Sequence, residues 1–283
     1  MNRDLRIGIP SKGRLAELSN SLLNQAGICF RRQNRSLFAK AKQLPISVTF
    51  LRSDDIPVLC AEGAIDLGIT GQDLIEESAT TPLQRLRLGI GHCRLSICVP
   101  QTFTGDIKEL DGKKIATSFP KVTQKFLTQH KTRAHLVELS GSVEVMIQLG
   151  VADAIVDLVE TGSTLEANQL KVLTDIGSYE SVLIQRQGIE SNELANRVVR
   201  RLEGVVIARS YSLLEFNIAR EQLTAAETIA PGFDSPTISA LEDPSMCAVR
   251  VMVRNSEIIE KMELLEQLGA SAIIQVPIDN CRL

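Results

Sequence analysis

The sequence predicts an α/β protein of two lobes with crossing strands and a cleft between them, followed by a smaller βαββαβ domain. Three observations carry this. Short apolar runs alternate with helix-forming segments from residue 5 to about 206, as when strands are covered by helices. The chain has 283 residues, more than one domain usually holds. From residue 208 the order changes, and two strands follow one another between two helices.

Leu5–Ile9 reads as a strand and Leu15–Ala26 as a helix closed by Gly27. Strand Ile46–Leu51 is followed by a helix at Asp54–Ala64, with Pro57 tolerable in its first turn. Leu67–Thr70 is a strand and Gln72–Glu77 a short helix. A second group comprises strands Arg94–Val99, Lys114–Thr117 and His135–Glu138, with helices Lys121–Thr128 and Ser142–Leu149. Strand Ala154–Val159 is apolar except for Asp157, as suits a buried parallel strand. Strands Val172–Ile176 and Val182–Gln185 follow, the second expected to return to the first lobe, and helix Asn192–Val206 leaves in a fresh direction.

The remaining order is strand Tyr211–Ile218, helix Arg220–Ile229, strands Thr237–Leu241 and Met246–Val253, helix Ser256–Leu268 and strand Ala272–Val276. The last helix carries Ile258, Ile259, Met262, Leu265 and Leu268 on one stripe. β-α-β-β-α-β is the ferredoxin-like split unit. Its few polar residues do not cluster, which suggests a regulatory or oligomerising module.

Composition narrows the function. A formal charge of −3, with no basic run, gives no footprint for nucleic acid. The apolar runs are too short to span a bilayer. Met1–Leu5 meets Pro10 without the apolar core of a secretion signal, so a cytoplasmic protein is expected. Six cysteines lack C-x-x-C spacing and read as reduced small hydrophobes. Three histidines are too few and too scattered for a zinc site, and G-x-S-x-G and H-E-x-x-H are absent.

The most informative stretch is Asp157 followed by Thr161-Gly162-Ser163-Thr164-Leu165. A strand that turns through glycine and hydroxyls into a helix start offers backbone N–H groups and hydroxyls to a phosphate. Asp157, beside the phosphate rather than on it, suits the hydroxyls of a ribose. Gly-Ser-Thr turns also open many helices with no ligand, so the fixed offset of the acid matters. In the first lobe, Lys12-Gly13-Arg14 flanks glycine with cations at a strand-to-helix corner, as a polyphosphate would need. Arg52 ends a strand, with Asp54 or Asp55 most simply capping the next helix. Asp66–Gly71 ends another strand in a glycine turn, and Arg94 brings a further cation near the lobe crossover. Four cations facing one acid-and-hydroxyl corner suit a reaction between two phosphorylated substrates.

Lys12-Gly13-Arg14-Leu15, Arg52-x-Asp54-Asp55-Ile56-Pro57, Asp66-Leu67-Gly68-Ile69-x-Gly71 and Cys93-Arg94-Leu95 resemble one family. So do Gly141-Ser142-Val143-Glu144-Val145 and Asp153-Ala154-Ile155-x-Asp157-Leu158-Val159-x-Thr161-Gly162-x-Thr164-Leu165. That family is the ATP phosphoribosyltransferases in their long, histidine-regulated form. The resemblance spans almost the whole chain. It implies two periplasmic-binding-protein-like lobes, the first of residues 1–92 and 178–207 on the ATP side. The second, residues 93–177, takes phosphoribosyl pyrophosphate, and residues 208–283 form the regulatory domain.

It further implies transfer of the phosphoribosyl group to N1 of the ATP adenine, Mg2+ bridged by substrate phosphates with no confident protein ligands, and dimers assembling into hexamers. By position, Asp157 and Glu144 would hold the ribose hydroxyls, and Thr161, Gly162, Ser163, Thr164 and Leu165 the 5-phosphate. Lys12, Arg14 and Arg52 would face pyrophosphate and the ATP phosphates, with Arg52, Asp157 and Glu144 closest to the chemistry. Asp66, Thr70, Gly71 and Arg94 would line the ATP side. Feedback histidine would meet Asp234, Thr237, Ala270 and Ser271. Two rivals stand beside this reading: a two-lobed sensor that binds an anion without chemistry, and a phosphoribosyltransferase for a free base.

Overall fold

A computed structural model describes residues 4–33, 36–160 and 162–282. By its internal contacts the chain divides into two units, residues up to 21 with 29–199, and residues 22–28 with those from 200 onward. The first unit contains two sheets, the second one.

The first sheet begins with β1 (Leu5–Pro10), β2 (Phe38–Lys40), β3 (Ile46–Leu51), β4 (Leu67–Gly71) and β5 (Leu83–Arg87). The second contains β6 (Cys93–Pro100), β7 (Lys114–Thr117), β8 (His135–Glu138), β9 (Ala154–Val159) and β10 (Leu170–Tyr179). β11 (Ser181–Gln185) then returns to the first sheet, antiparallel to both β4 and β5. The orders are β2-β3-β1-β4-β11-β5 and β10-β6-β9-β7-β8.

Around these sheets run α1 (Arg14–Gln25), α2 (Asp55–Ala61), α3 (Gln72–Ser78), α4 (Pro120–Gln129), α5 (Ser163–Ala167) and α6 (Glu193–Ser210). The central strands β4 and β11 are buried at every residue, so their sequence does not alternate: residues 67–69 and 182–184 are apolar throughout, with buried Thr70, Ser181 and Gln185 toward the ends. The second sheet has a core on each face. Leu95, Ile97 and Val99 of β6 join Ile115, Val156 and Phe119 on one side. Cys98, Ile155 and Val159 join Val143, Leu165 and Leu170 on the other.

Two expectations change here. Ser142–Leu149 forms no α-helix; only a 3-10 turn spans Val143–Val145, entered from Ser142 in a left-handed backbone with φ 52°. β2 and β5 are strands that apolar patterning passes over, since their residues are mostly exposed or half-buried.

In the second unit, β12 (Tyr211–Ala219), α7 (Leu223–Ile229), β13 (Thr237–Ala240), β14 (Met246–Arg254), α8 (Ile258–Gln267) and β15 (Ser271–Pro277) follow in order. The sheet order β13-β14-β12-β15 is antiparallel throughout, which is the ferredoxin-like arrangement. Alternate residues of β12 and β14 are buried, and Leu214, Phe216, Ile218, Cys247, Val249, Val251 and Val253 pack with Ala226, Ile258 and Leu265. Ile259 leaves the expected stripe of α8 and is 63% exposed.

Candidate active site

Ends of strands from both sheets of the first unit open onto one cavity of about 750 Å³. Ser11–Gly13 follow β1, Arg52–Asp54 follow β3, Ser118 and Phe119 follow β7, and Ser140 follows β8; all line it. The strand order reverses at this point in each sheet: β1 lies between β3 and β4, and β7 between β8 and β9, each parallel to both neighbours. In α/β sheets, ligands bind outside the carboxyl ends of strands at such switch points.

The first-lobe wall carries the expected cations. Gly13 takes φ +81°, where a side chain would be strained, and this turns Lys12 and Arg14 about the start of α1. Lys12 and Arg52 both line the cavity. Ser11 N–H donates to the Leu51 carbonyl at 2.7 Å, joining the two loops that bear them. Arg32, absent from the sequence reading, braces the same turn. Its guanidinium donates to the Ser11 carbonyl at 2.9 Å and stacks over Phe50, 4.2 Å from the ring centre. Arg14 pairs across the cleft with Glu160, both side chains being exposed.

Thr70 is fully buried, and its hydroxyl donates to the Ser53 carbonyl at 3.1 Å. It supports the loop after Arg52 rather than facing a ligand. Gly71 is also buried, beside the Asp73 carboxylate. Asp54 holds the N-cap position of α2 without a side-chain cap bond, and it lines the cavity instead.

Asp66 is a correction. It precedes β4, at the opposite end of that strand from Gly71. It accepts hydrogen bonds from Arg6 N, Arg6 Nε, an Arg6 terminal nitrogen and Arg186 Nε, at 2.8, 3.2, 3.1 and 2.8 Å. Burial alone would raise its carboxyl, but these bonds and the Arg6 charge hold it below the usual range. Both oxygens are occupied in a structural ion pair, so Asp66 does not line the ATP side.

Arg94 is the second correction. It lies on β6 of the second sheet, not on the facing lobe, and in register with Val159 of β9. It pairs with Asp175 of β10 at 2.9 Å, while the Ser96 hydroxyl donates to the other Asp175 oxygen at 2.7 Å. Ser96 is the cross-strand neighbour of both Asp157 and Asp175.

Asp157 stands near the end of β9, half-buried. Among the described residues its carboxylate accepts one hydrogen bond, from the Leu158 N–H at 2.8 Å. Burial pushes the Asp157 carboxyl up, and the nearby Glu144 charge adds to the rise. The structure thus brings the two proposed ribose acids together, with Glu144 on the 3-10 turn. Thr161 lies outside the described residues.

Gly162 takes φ +85° and starts α5, whose Thr164 and Leu165 N–H groups precede the Glu166 N–H bond to the Gly162 carbonyl at 3.1 Å. Ser163 opens this helix. α5 has five residues, too few for a strong dipole, so anion affinity here rests on amides and hydroxyls.

The four candidate histidine contacts do not gather in one chain. Thr237 begins β13 and Ser271 begins β15, the two edge strands of the sheet. Three strand spacings separate them, about 14 Å. Ala270 is buried in the core, and Asp234 is exposed in the loop before β13.

Two α/β lobes with the cations Lys12 and Arg52 on one wall of a cavity and the hydroxyls of Ser118 and Ser140 on the other suit an enzyme that handles phosphorylated substrates between its lobes. Asp157 and Glu144 belong to the second lobe but do not line this cavity. Residues 52–204 match the family described as HisG, ATP phosphoribosyltransferase, and residues 208–280 match the HisG C-terminal domain. The ATP phosphoribosyltransferase of Rhodopirellula baltica is 61% identical over 281 residues, covering 99% of this chain and 94% of its own. That of Pseudarthrobacter chlorophenolicus is 38% identical over 283 residues, covering 99% and 100%. A solved ATP phosphoribosyl transferase (HisG:HisZ) complex from Thermotoga maritima is 29% identical with a TM-score of 0.64, covering 72% of this chain and 98% of its own. The chain belongs to the ATP phosphoribosyltransferase family, pentosyltransferases of the first step of histidine biosynthesis.

Proposed function

We propose that this cavity carries out the family's reaction, with phosphoribosyl pyrophosphate on the second lobe and ATP on the first. The observation that carries it is Asp157, a half-buried carboxylate with no cation partner among the described residues, on the lobe whose Ser118 and Ser140 share the cavity with Lys12 and Arg52. The adenine N1 lone pair attacks C1 of the ribose, and the C1–O bond to pyrophosphate breaks with its electrons leaving on pyrophosphate. Asp157 and Glu144 accept hydrogen bonds from the ribose hydroxyls and set negative charge beside the cation-like sugar. The amides and hydroxyls of residues 161–165 hold the 5-phosphate.

Lys12 and Arg52 draw the leaving group toward the first lobe. Arg14 joins them on exchanging Glu160 for phosphate, at small cost because exposed ion pairs contribute only about 0–1 kcal/mol. No strong base is needed, since adenine N1 is already nucleophilic. Gly71 and Thr70 support the ATP side from below.

Among the described residues no three or more His, Cys, Asp or Glu side chains gather to hold a metal. Mg2+ would arrive on the substrate phosphates and, when bound, would neutralise the pyrophosphate. The lobe assignments remain 1–92 with 178–207 for the first lobe and 93–177 for the second, with 208–283 regulatory. Histidine joins Asp234, Thr237, Ala270 and Ser271 only where two copies meet edge to edge, which fits a homo-oligomer, dimer to hexamer. A cytoplasmic setting supplies both substrates. Among the described residues no helix is long and apolar enough to cross a membrane.

The test is Asp157→Asn, assayed for phosphoribosyl-ATP by absorbance with phosphoribosyl pyrophosphate, Mg2+ and either ATP or adenine. The wild type should give product with ATP alone. The variant should lose at least ~10²-fold in turnover while still unfolding cooperatively, at no lower temperature than wild type. Near-normal turnover of the variant would overturn the assignment. Product from adenine would favour the free-base reading, and none with either substrate the sensor.

A further inference from the structure

We infer that Asp175 is a positioning residue that keeps Arg94 off Asp157, leaving Asp157 free to accept the ribose hydroxyls. The inference rests on the reading of Asp157 given above. Register places the rival acids on either side of one strand. On β6, Arg94 and Ser96 project from the same face; Val159 and Asp157 of β9 lie directly across from them, and Asp175 lies across from Ser96 on β10. Arg94 and Asp157 are therefore diagonal neighbours, about 7–8 Å apart at the backbone and within reach of an arginine side chain.

Yet the guanidinium is on Asp175, at 2.9 Å, and the second Asp175 oxygen is taken by Ser96 Oγ at 2.7 Å. Nothing intrinsic makes Asp175 the better partner. Asp157 is the more buried acid, with Glu144 adding negative charge beside it, and would itself gain from a cation. What selects Asp175 is the Ser96 hydrogen bond, which fixes its carboxylate with one oxygen toward Arg94. Ser96 is fully buried, so that arrangement is held rigidly. Were Arg94 to move to Asp157, the carboxylate would be occupied by a bidentate donor, and ribose hydroxyls would have to displace it.

Asp175→Asn preserves shape and the acceptor for Ser96 but removes the charge that retains Arg94. The KM for phosphoribosyl pyrophosphate should rise about 5- to 10-fold, the scale of one competing, partly exposed ion pair. kcat and the KM for ATP should change less than about twofold. The acid limb of kcat/KM should move to lower pH as Asp157 gains a cation. Adding Arg94→Gln to Asp175→Asn should bring the KM back to within about twofold of the Arg94→Gln single variant. An unchanged KM in Asp175→Asn overturns the inference. So does a double variant no better than Asp175→Asn alone, which would mean Asp175 acts only on the sheet. If Asp157→Asn turns over normally, the parent reading fails instead, whatever Asp175 does.

Discussion

At the scale of single residues, Asp157 unites two properties that ordinarily conflict, burial and the lack of a cation. Its carboxyl is raised by burial and then by Glu144, partly offset by the Leu158 N–H. The charged groups facing it are Glu144, Arg94 and Asp175, with the buried Cys98 thiol, itself pushed up to about 12, on the same face. A raised carboxyl binds its proton more tightly in the folded state. It therefore subtracts stability as pH rises through the window from its unfolded value to its higher folded one.

Asp157→Asn should accordingly unfold at a higher temperature than wild type at pH 7, with the difference vanishing below about pH 4. In the wild type, kcat/KM for phosphoribosyl pyrophosphate should begin to fall on the acid side above the ordinary carboxylate range. An acid limb at or below about pH 4 would refute this. Asp157 was legible because an acid at a fixed offset from a glycine-hydroxyl turn is a local pattern. Arg32, Ser96 and Asp175 were not, since each acts through a partner distant in sequence: Ser11, Asp175 and Arg94 respectively.

At the scale of elements, Asp66 shows how a motif can mislead. Asp66–Gly71 reads as one segment, but a strand carries its two ends far apart, about 3.3 Å per residue. Gly71 faces the cleft side and Asp66 the far edge, where Arg6 and Arg186 converge on it. The depressed carboxyl contributes stability present above its unfolded value and lost as pH falls through the folded one.

Asp66→Asn should cost about 2–3 kcal/mol, the low end for breaking a buried pair because Arg186 keeps a third of its surface in water. Urea unfolding should show the midpoint falling at unchanged slope, while kcat stays near wild type at a permissive temperature. Loss of kcat with unchanged stability would restore Asp66 to the site. Element type was well read wherever apolar periodicity ran long, as in β12 and β14. It failed at 142–149, where the apolar spacing suited a helix but only a single 3-10 turn, Val143–Val145, forms.

At the scale of the molecule, the order of lobes and of the antiparallel domain followed from alternation of apolar runs, while the contact between lobes did not. Much of that contact is made by two adjacent acids of a short helix that read as ordinary surface charges, beside Arg14 with Glu160 and Leu74 against the second sheet's core. Both Glu77 oxygens accept N–H groups at the start of α4, Lys121 and Val122, each at 3.1 Å. A side chain of one lobe thus caps a helix of the other, supplying acceptors for N–H donors that Phe119, at the N-cap position, leaves unmet. Glu76 adds Lys125 Nζ at 2.7 Å and the Tyr179 hydroxyl at 3.0 Å, and burial with the Glu76 bond raises that phenol.

Phe119 and Ser118, immediately before α4, line the cavity, so the cap sets where that wall stands. Glu77→Ala should cost about 1 kcal/mol in stability, as for a lost N-cap, and raise the KM of both substrates about 2- to 5-fold. Glu77→Gln, keeping one acceptor oxygen, should fall between. Steady-state kinetics beside thermal unfolding separate the two possibilities: a destabilised variant with both KM values unchanged would mean the cap serves α4 alone. KM values rising in step with the lost acceptors would show that the lobe contact shapes the cleft.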